Sequence, residues 1–261
     1  QPAEPYVIQD GLQNYLDDNK LSKHISTNDN NTQYDCSECT QAYYREIIGS
    51  LMYACISRPD ITYAVHKLAR YVSDPLPHHW DGVFWLIGYL KKYPCKCLLF
   101  KPSDMRLRAY VDADFAGCVD TARSTTGFVL MLGNNVTCYK SCLQKSVAQS
   151  SSESEYMAAA MCASYVVWQR SFLEELGFPQ RGPTNIYEDN EGVIAMVASS
   201  HRSRARHIHR NYHFLKELQK EFKAIKVVTI KGNNNRADMF TKPLARILFQ
   251  KCNETLMPEL A

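Results

Sequence analysis

Leu107-Arg-Ala-Tyr-Val-Asp-Ala-Asp-Phe115 is the stretch on which the reading of this chain turns. Leu107, Ala109, Val111 and Ala113 alternate with Arg108, Tyr110, Asp112 and Asp114, the period of a β-strand. Two carboxylates on one face of a strand need a reason, because Asp is depleted in strands and neighbouring like charges repel. Either that face is solvated or a cation holds the acids there.

The pattern continues on the C-terminal side. Thr126 to Leu132 and Val136 to Tyr139, joined by Gly133-Asn-Asn135, predict a hairpin. Ser150-Ser-Ser-Glu-Ser-Glu155 starts an Ala-rich helix that runs to about Leu176, where Gly177 stops it. Thr184 to Asp189 predicts a strand, and Asn190 an N-cap for the short helix after it. A basic helix is expected over about 204–222, a last strand over Ile225 to Ile230, and a final helix opened by Asn233-Asn-Asn235 and carrying Asp238. The order β-β-β-α-β-α-α-β-α describes a mixed sheet with helices on its faces.

On the N-terminal side the signals are helical. Tyr44, Ile47, Ile48, Leu51 and Met52 recur at helical spacing until Arg58-Pro-Asp60 breaks them. Ile61, Val65, Leu68 and Ala69 form a second stripe, and Trp80 to Tyr93 a third helix closed by Pro94. Residues 1–40 are polar and expected to be irregular. Tyr15-Leu-Asp-Asp18 has the letters of a polymerase box, but the polar flanks Gln13-Asn14 and Asn19-Lys20 cannot make the apolar hairpin such a box needs, so no polymerase palm is expected. The boundary is expected at Lys101-Pro-Ser103, giving segments 1–103 and 104–261.

The 261 residues are 45% hydrophobic, enough for a real core, and the formal net charge of +3 is too small to argue for nucleic-acid binding by itself. No apolar run reaches membrane-spanning length. The N-terminus shows neither a Met nor a secretory signal, which suggests a fragment or processed product. Ten cysteines without such a signal fit free thiols in a reducing compartment. Cys36-Ser-Glu-Cys39 has zinc-ligand spacing but no second pair like it. The sequons at Asn30, Asn135 and Asn253 carry little weight in a chain expected to stay out of the secretory path.

Four acids fall where elements begin or end: Asp112, Glu155, Asp189 and Asp238. Each has a plain structural reading. Ser152-x-x-Glu155 fits a capping box, and Asn235-x-x-Asp238 places an acid at a helix start, where the dipole favours it. Asp189 fits a turn, and Asp112 a solvated face. Taken together, acids at the ends of neighbouring elements can converge on one sheet edge. Oxygen-only ligands of that kind suit Mg²⁺, and two such ions about 4 Å apart can drive phosphodiester hydrolysis.

Tyr110-Val-Asp-Ala-Asp-Phe-Ala-Gly117, Arg123-Ser-Thr-Thr-Gly127, Gln149 to Tyr156, Tyr187-Glu-Asp-Asn190 and Ala237-Asp-Met-Phe-Thr-Lys-Pro-Leu244 resemble the ribonuclease H domain of copia-type LTR retrotransposon polyproteins. Upstream, Tyr44 to Tyr53, Arg58-Pro-Asp-Ile61 and His79-Trp80 resemble the thumb or connection region of the same polyproteins. The likeness covers about residues 12–250. It implies an α/β, ribonuclease H-like mixed five-stranded sheet with flanking helices, preceded by a small, mainly helical subdomain. It implies a metal site of Asp112, Glu155, Asp189 and Asp238, holding two Mg²⁺ ions with Mn²⁺ able to substitute, with Asp114 and Asn190 as supporting residues. It also implies cleavage of the RNA strand of RNA–DNA hybrids, a polymerase domain of the same polyprotein as partner, and a cytoplasmic (virus-like particle) or nuclear location.

His201 to Arg210 holds four arginines and three histidines. It reads either as a solvated basic face or as a phosphate-tracking patch built on Arg202, Arg204, Arg206, His207 and Arg210. Such contacts position a duplex without reading its sequence. Where the family often has Asp after the Lys/Arg-His-Ile of this helix, His209 stands here. The alternative expectation is a non-catalytic, retrotransposon-derived module that binds nucleic acid or a polymerase.

Overall fold

A computed structural model describes residues 25–28, 31–34, 40–198 and 209–258. The expectations for Tyr15 to Asp18, Cys36, Cys39, Arg202, Arg204, Arg206 and His207 lie outside the described residues, as does the Arg210 side chain. The chain divides into two compact units. One comprises residues up to Cys97 together with those from Ala245 on, and the other spans Leu98–Leu244.

In the first unit, β1 (Ile25–Asn28) and β2 (Asn31–Tyr34) pair antiparallel, with Ile25 opposite Tyr34. Composition suggested irregular chain there. Asp29 and Asn30, between the two strands, are of the type that favours tight hairpins. Helix α1 (Gln41–Ala54) is capped by the Thr40 hydroxyl, which accepts from the Tyr43 amide at 3.2 Å. Helices α2 (Thr62–Leu68) and α3 (Pro77–Lys92) follow. Tyr44, Ile48, Leu51, Val65, Trp80 and Val83 are buried together, whereas Met52 is exposed, so the apolar stripe of α1 is narrower than its spacing suggested.

Arg58-Pro-Asp60 does break the helix, and it also builds the polar centre of this unit. Arg58 and Asp60 form a buried bidentate pair at 2.9 and 2.7 Å, the Tyr89 hydroxyl donates to Asp60 at 2.8 Å, and Arg58 donates to the Tyr93 carbonyl. An unpaired charge at this depth would cost several kcal/mol, and the bidentate geometry offsets that cost.

In the second unit, β3 (Leu107–Asp114), β4 (Thr125–Leu132) and β5 (Asn135–Leu143) form an antiparallel meander. Helix α4 (Ser151–Glu175) then leads to β6 (Thr184–Glu188), which lies parallel to β3. Helices α5 (Glu191–Ala198) and α6 (His209–Lys220) precede β7 (Ile225–Thr229), parallel to β6. The strand order is β5-β4-β3-β6-β7. This is the mixed five-stranded sheet with flanking helices of the ribonuclease H-like fold.

Both faces of β3 are covered. Leu107, Ala109, Val111 and Ala113 join Ala159, Cys162 and Val166 of α4 in one core. Tyr110, on the opposite face, stacks on Tyr187 and lies under the Arg236 guanidinium.

The end of the chain differs from expectation. Asp238 sits in a 3₁₀ turn, Asp238–Phe240, and the final helix is α7 (Arg246–Leu256), which packs Phe249 against the helical core of the first unit. Asn235 is tied to the sheet, its side chain donating to the Val111 carbonyl at 2.8 Å and accepting from the Ala237 amide at 3.1 Å, and Pro243 limits any helix that could follow.

The turn is seated through Gly127 of β4. A Cβ there would lie 2.6 Å from the Thr241 methyl and 2.8 Å from Phe240 Cβ. Gly127→Ala is expected to push the turn off the sheet at a cost of about 1–3 kcal/mol, typical of overpacking. Urea unfolding of both proteins checks this, and an unchanged midpoint would show that the turn has room to spare.

Candidate metal centre

The local sequence decides which acids remain available. The N-cap of α4 is Ser150, whose hydroxyl accepts from the Glu153 amide at 3.2 Å, while the Glu153 carboxylate accepts from the Gln149 amide at 2.8 Å. The capping acid is therefore Glu153. The expectation that Glu155 could serve that purpose from Ser152 is corrected by two residues. Glu155, half a turn further, points elsewhere.

Asp112 is buried at 2% exposure near the end of β3, so its face is not solvated. Glu155 is buried in the first turns of α4, and Asp189 follows the last residue of β6. Since β6 runs parallel to β3, both strands deliver their acids at the same end of the sheet. One carboxylate oxygen each from Asp112, Glu155 and Asp189 lie within 4.8 Å of one another. Asp238 approaches from the 3₁₀ turn. It is linked to Asp112 through Lys242, whose Nζ lies 3.4 Å from Asp112 Oδ2 and 3.4 Å from Asp238 Oδ1. The Thr241 hydroxyl donates to Asp112 Oδ2 and fixes that carboxylate.

Crowding is written into the proton affinities. Burial, then Glu188, Asp112 and Asp189, push Glu155 up to about 11, with Lys242 opposing. Burial and Asp112 lift Asp238 to about 7, again against Lys242. Asp189 is raised by burial and by Asp112. Lys242 is pulled down by burial but raised more by Asp112 and Asp238, so it stays charged.

A further carboxyl beside the four acids, Glu188, is also strongly perturbed, and the sequence reading passed over it. It is fully buried on the β6 face that also holds Thr184 and Ile186, and burial holds its carboxyl well above the usual range. Its Oε1 accepts from the Asn190 amide at 3.0 Å. The alternation of β6 could have assigned it inward. Lys242 was also missed, although it stands four residues after Asp238, the spacing of a local ion pair.

Asp114 and Asn190 have local duties. The Asp114 carboxylate folds over Gly117, where a Cβ would collide with it. Asn190 Oδ1 accepts from the Gly192 amide at 2.9 Å and the Val193 amide at 3.3 Å, which makes it the expected cap of α5, and from the Ser152 hydroxyl at 3.4 Å.

The donor set is all oxygen. Glu155 Oε2 and Asp238 Oδ1 are buried and take no hydrogen bond. Glu155 Oε2 is left without a partner and Asp238 Oδ1 has only the Lys242 ion pair, and crowded carboxylate oxygens of this kind are what a hard divalent cation neutralises, so the residues present fit one.

No family model matches the chain. It is 38% identical over 81% of its length to the retrovirus-related Pol polyprotein of transposon TNT 1-94 of Nicotiana tabacum. It is 38% identical over 79% of its length to that of transposon RE2 of Arabidopsis thaliana. The chain belongs to the retrovirus-related Pol polyproteins of copia-type transposons. It spans 16% and 14% of the length of these two relatives. Among solved structures it is similar to the LC11 ribonuclease H1 isolated from compost, at 15% identity and a TM-score of 0.41 over 52% of this chain and 93% of that one. No helix among the described residues of this Pol chain is long and apolar enough to cross a membrane.

Proposed function

We propose that the Leu98–Leu244 unit is a metal-dependent ribonuclease H that cuts the RNA strand of RNA–DNA hybrids as part of a retrotransposon polyprotein. The observation that carries this reading is the approach of Asp112, Glu155 and Asp189 to within 4.8 Å, two of them buried, at the end of a mixed sheet of this topology.

Asp112, Glu155, Asp189 and Asp238 would hold two Mg²⁺ ions, with Mn²⁺ able to replace them. When bound, such ions acidify a water and neutralise charge on the scissile phosphate. Asp112, oriented by Thr241, would be the ligand common to both ions, with Glu155 and Asp189 completing one site and Asp238 the other. Asn190 ties the start of α5 to Ser152 of α4 and so holds Asp189 and Glu155 at a fixed separation. Asp114 supports the loop after β3. The arginines of 201–210 would track the phosphates of the hybrid, and discrimination for RNA would come from contacts to its 2′-hydroxyl groups. The products would carry 3′-hydroxyl and 5′-phosphate ends. The first unit would act as a thumb- or connection-like segment beside a polymerase domain of the same polyprotein.

The test is cleavage of an end-labelled RNA–DNA hybrid with Mg²⁺ by the unmutated chain and by Glu155→Gln. The unmutated chain is expected to cut and the variant to lose activity by about 10²-fold or more, as when a group that stabilises developing charge is removed. Binding of the hybrid without cleavage by the unmutated chain would leave a non-catalytic nucleic-acid-binding module.

A further inference from the structure

We propose that Lys242 is a built-in rival for one of the divalent cations, its ammonium holding the place between Asp112 and Asp238 until a metal displaces it. This rests on the metal-site reading of Asp112 given above. The ammonium is within 3.4 Å of one oxygen of each acid, the position of a bridging cation. Asp238 Oδ1 is buried and takes no hydrogen bond, so the ion pair with Lys242 is what offsets its charge.

The backbone under Lys242 is pinned. Its amide bonds to the Asp238 carbonyl at 3.2 Å, Thr241 is buried against Asp112, and Pro243 follows. Its side chain is 37% exposed, so the flexible stem has an open side toward which it can swing. Exit therefore costs a rotamer change and no unfolding.

The consequence is an asymmetric site. Lys242 makes its ion pairs with Asp112 and Asp238, while the cluster of Asp112, Glu155 and Asp189 is where three carboxylates crowd. A cation entering between Asp112 and Asp238 must displace the ion pairs that the lysine makes there. The cation at the three-carboxylate cluster contends with the lysine at Asp112 alone, since among the described residues Lys242 makes no ion pair with Glu155 or Asp189. The two ions are taken up unequally. The displaced ammonium then lies beside the site, free to meet an incoming phosphate.

The test is titration of the metal-free full chain with Mn²⁺ by calorimetry, using the unmutated protein, Lys242→Met, Lys242→Arg and Asp112→Asn. The unmutated chain should bind with two unequal affinities, and Asp112→Asn should lose binding. Lys242→Met should tighten the weaker step about tenfold, while Lys242→Arg should not. In EDTA the Met variant should also melt several degrees lower, with Mn²⁺ closing the gap, and Lys242→Gln serves if Met does not fold. Mn²⁺ binding by Lys242→Met no tighter than by the unmutated chain overturns the competition and leaves the metal site standing. No Mn²⁺ binding by any of the proteins removes the metal site, and the competition with it.

Discussion

Asp112→Asn is expected to lower hybrid cleavage by at least about 10³-fold while leaving the metal-free protein as stable as before, or more so. The two halves have one cause. Asp112 faces Glu155, Asp189 and Asp238, and its charge raises the proton affinity of each. Neutralising it relieves repulsion among acids brought together at the end of β3 and α4. On the two-cation reading proposed above, the same change would also remove the ligand common to both ions. Asn keeps the shape and can still accept from Thr241. Hybrid cleavage and thermal unfolding in EDTA, measured on the same preparation, check this. Cleavage within about threefold of the unmutated chain would remove Asp112 from the centre. A large drop in stability would show that the acid supports the fold instead. Asp114→Asn, two residues along the strand, should leave cleavage largely intact, because that carboxylate is folded over Gly117.

The second large effect is a stability that falls as pH rises, and only without metal. Asp238 titrates at about 7 and Glu155 at about 11 in the folded chain, both above their unfolded values near 4. The folded state thus binds more protons than the unfolded state between pH 4 and 7 for Asp238, and up to pH 11 for Glu155. Stability is full below pH 4 for these two groups and is lost as pH climbs through that window. Between pH 5 and 8 the loss is about 3 kcal/mol or more, on the order of 10 °C in melting temperature for a chain of this size. Saturating Mg²⁺ should flatten the curve, since ions then compensate the charged carboxylates. Melting curves in EDTA and in Mg²⁺ at pH 5, 6.5 and 8 decide it. A flat or rising profile in EDTA would mean the acids are not crowded.

What was legible in the sequence follows from range. The strand at 107–114, the hairpin and the Ala-rich helix rest on spacings of two and 3.6 residues and on Gly/Asn turns, and they stand within one or two residues of expectation except that β5 runs four residues further, to Leu143. Asp112, Glu155, Asp189 and Asp238 were visible as acids at element ends. Their meeting was not, because it depends on β6 lying parallel to β3 across some 75 residues of chain, from Tyr110 to Tyr187. The cap of α4 was read two residues late because Ser150, Ser151 and Ser152 offer three equal starts, and the Glu153 contact to Gln149 breaks the tie. The reach of Lys242 to Asp112 was invisible because the turn that carries it is placed by Asn235 bonding Val111, 124 residues away. Glu188 was passed over beside Asp189, although its alternation with Thr184 and Ile186 assigns it to the buried face of β6.

Helix α7 has a consequence for the order in which the protein is made. Asn253 reaches the Tyr89 hydroxyl at 3.5 Å, and Phe249 joins the same cluster, across 164 and 160 residues of chain. Domains generally fold as units when their residues emerge during synthesis. The helical unit lacks its last helix until the whole Leu98–Leu244 unit has been translated. On the ribosome the Leu98–Leu244 unit can be complete while the unit that began first is still waiting for its closing piece. A stop codon after Leu244 would leave the acidic group whole and the older half unfinished.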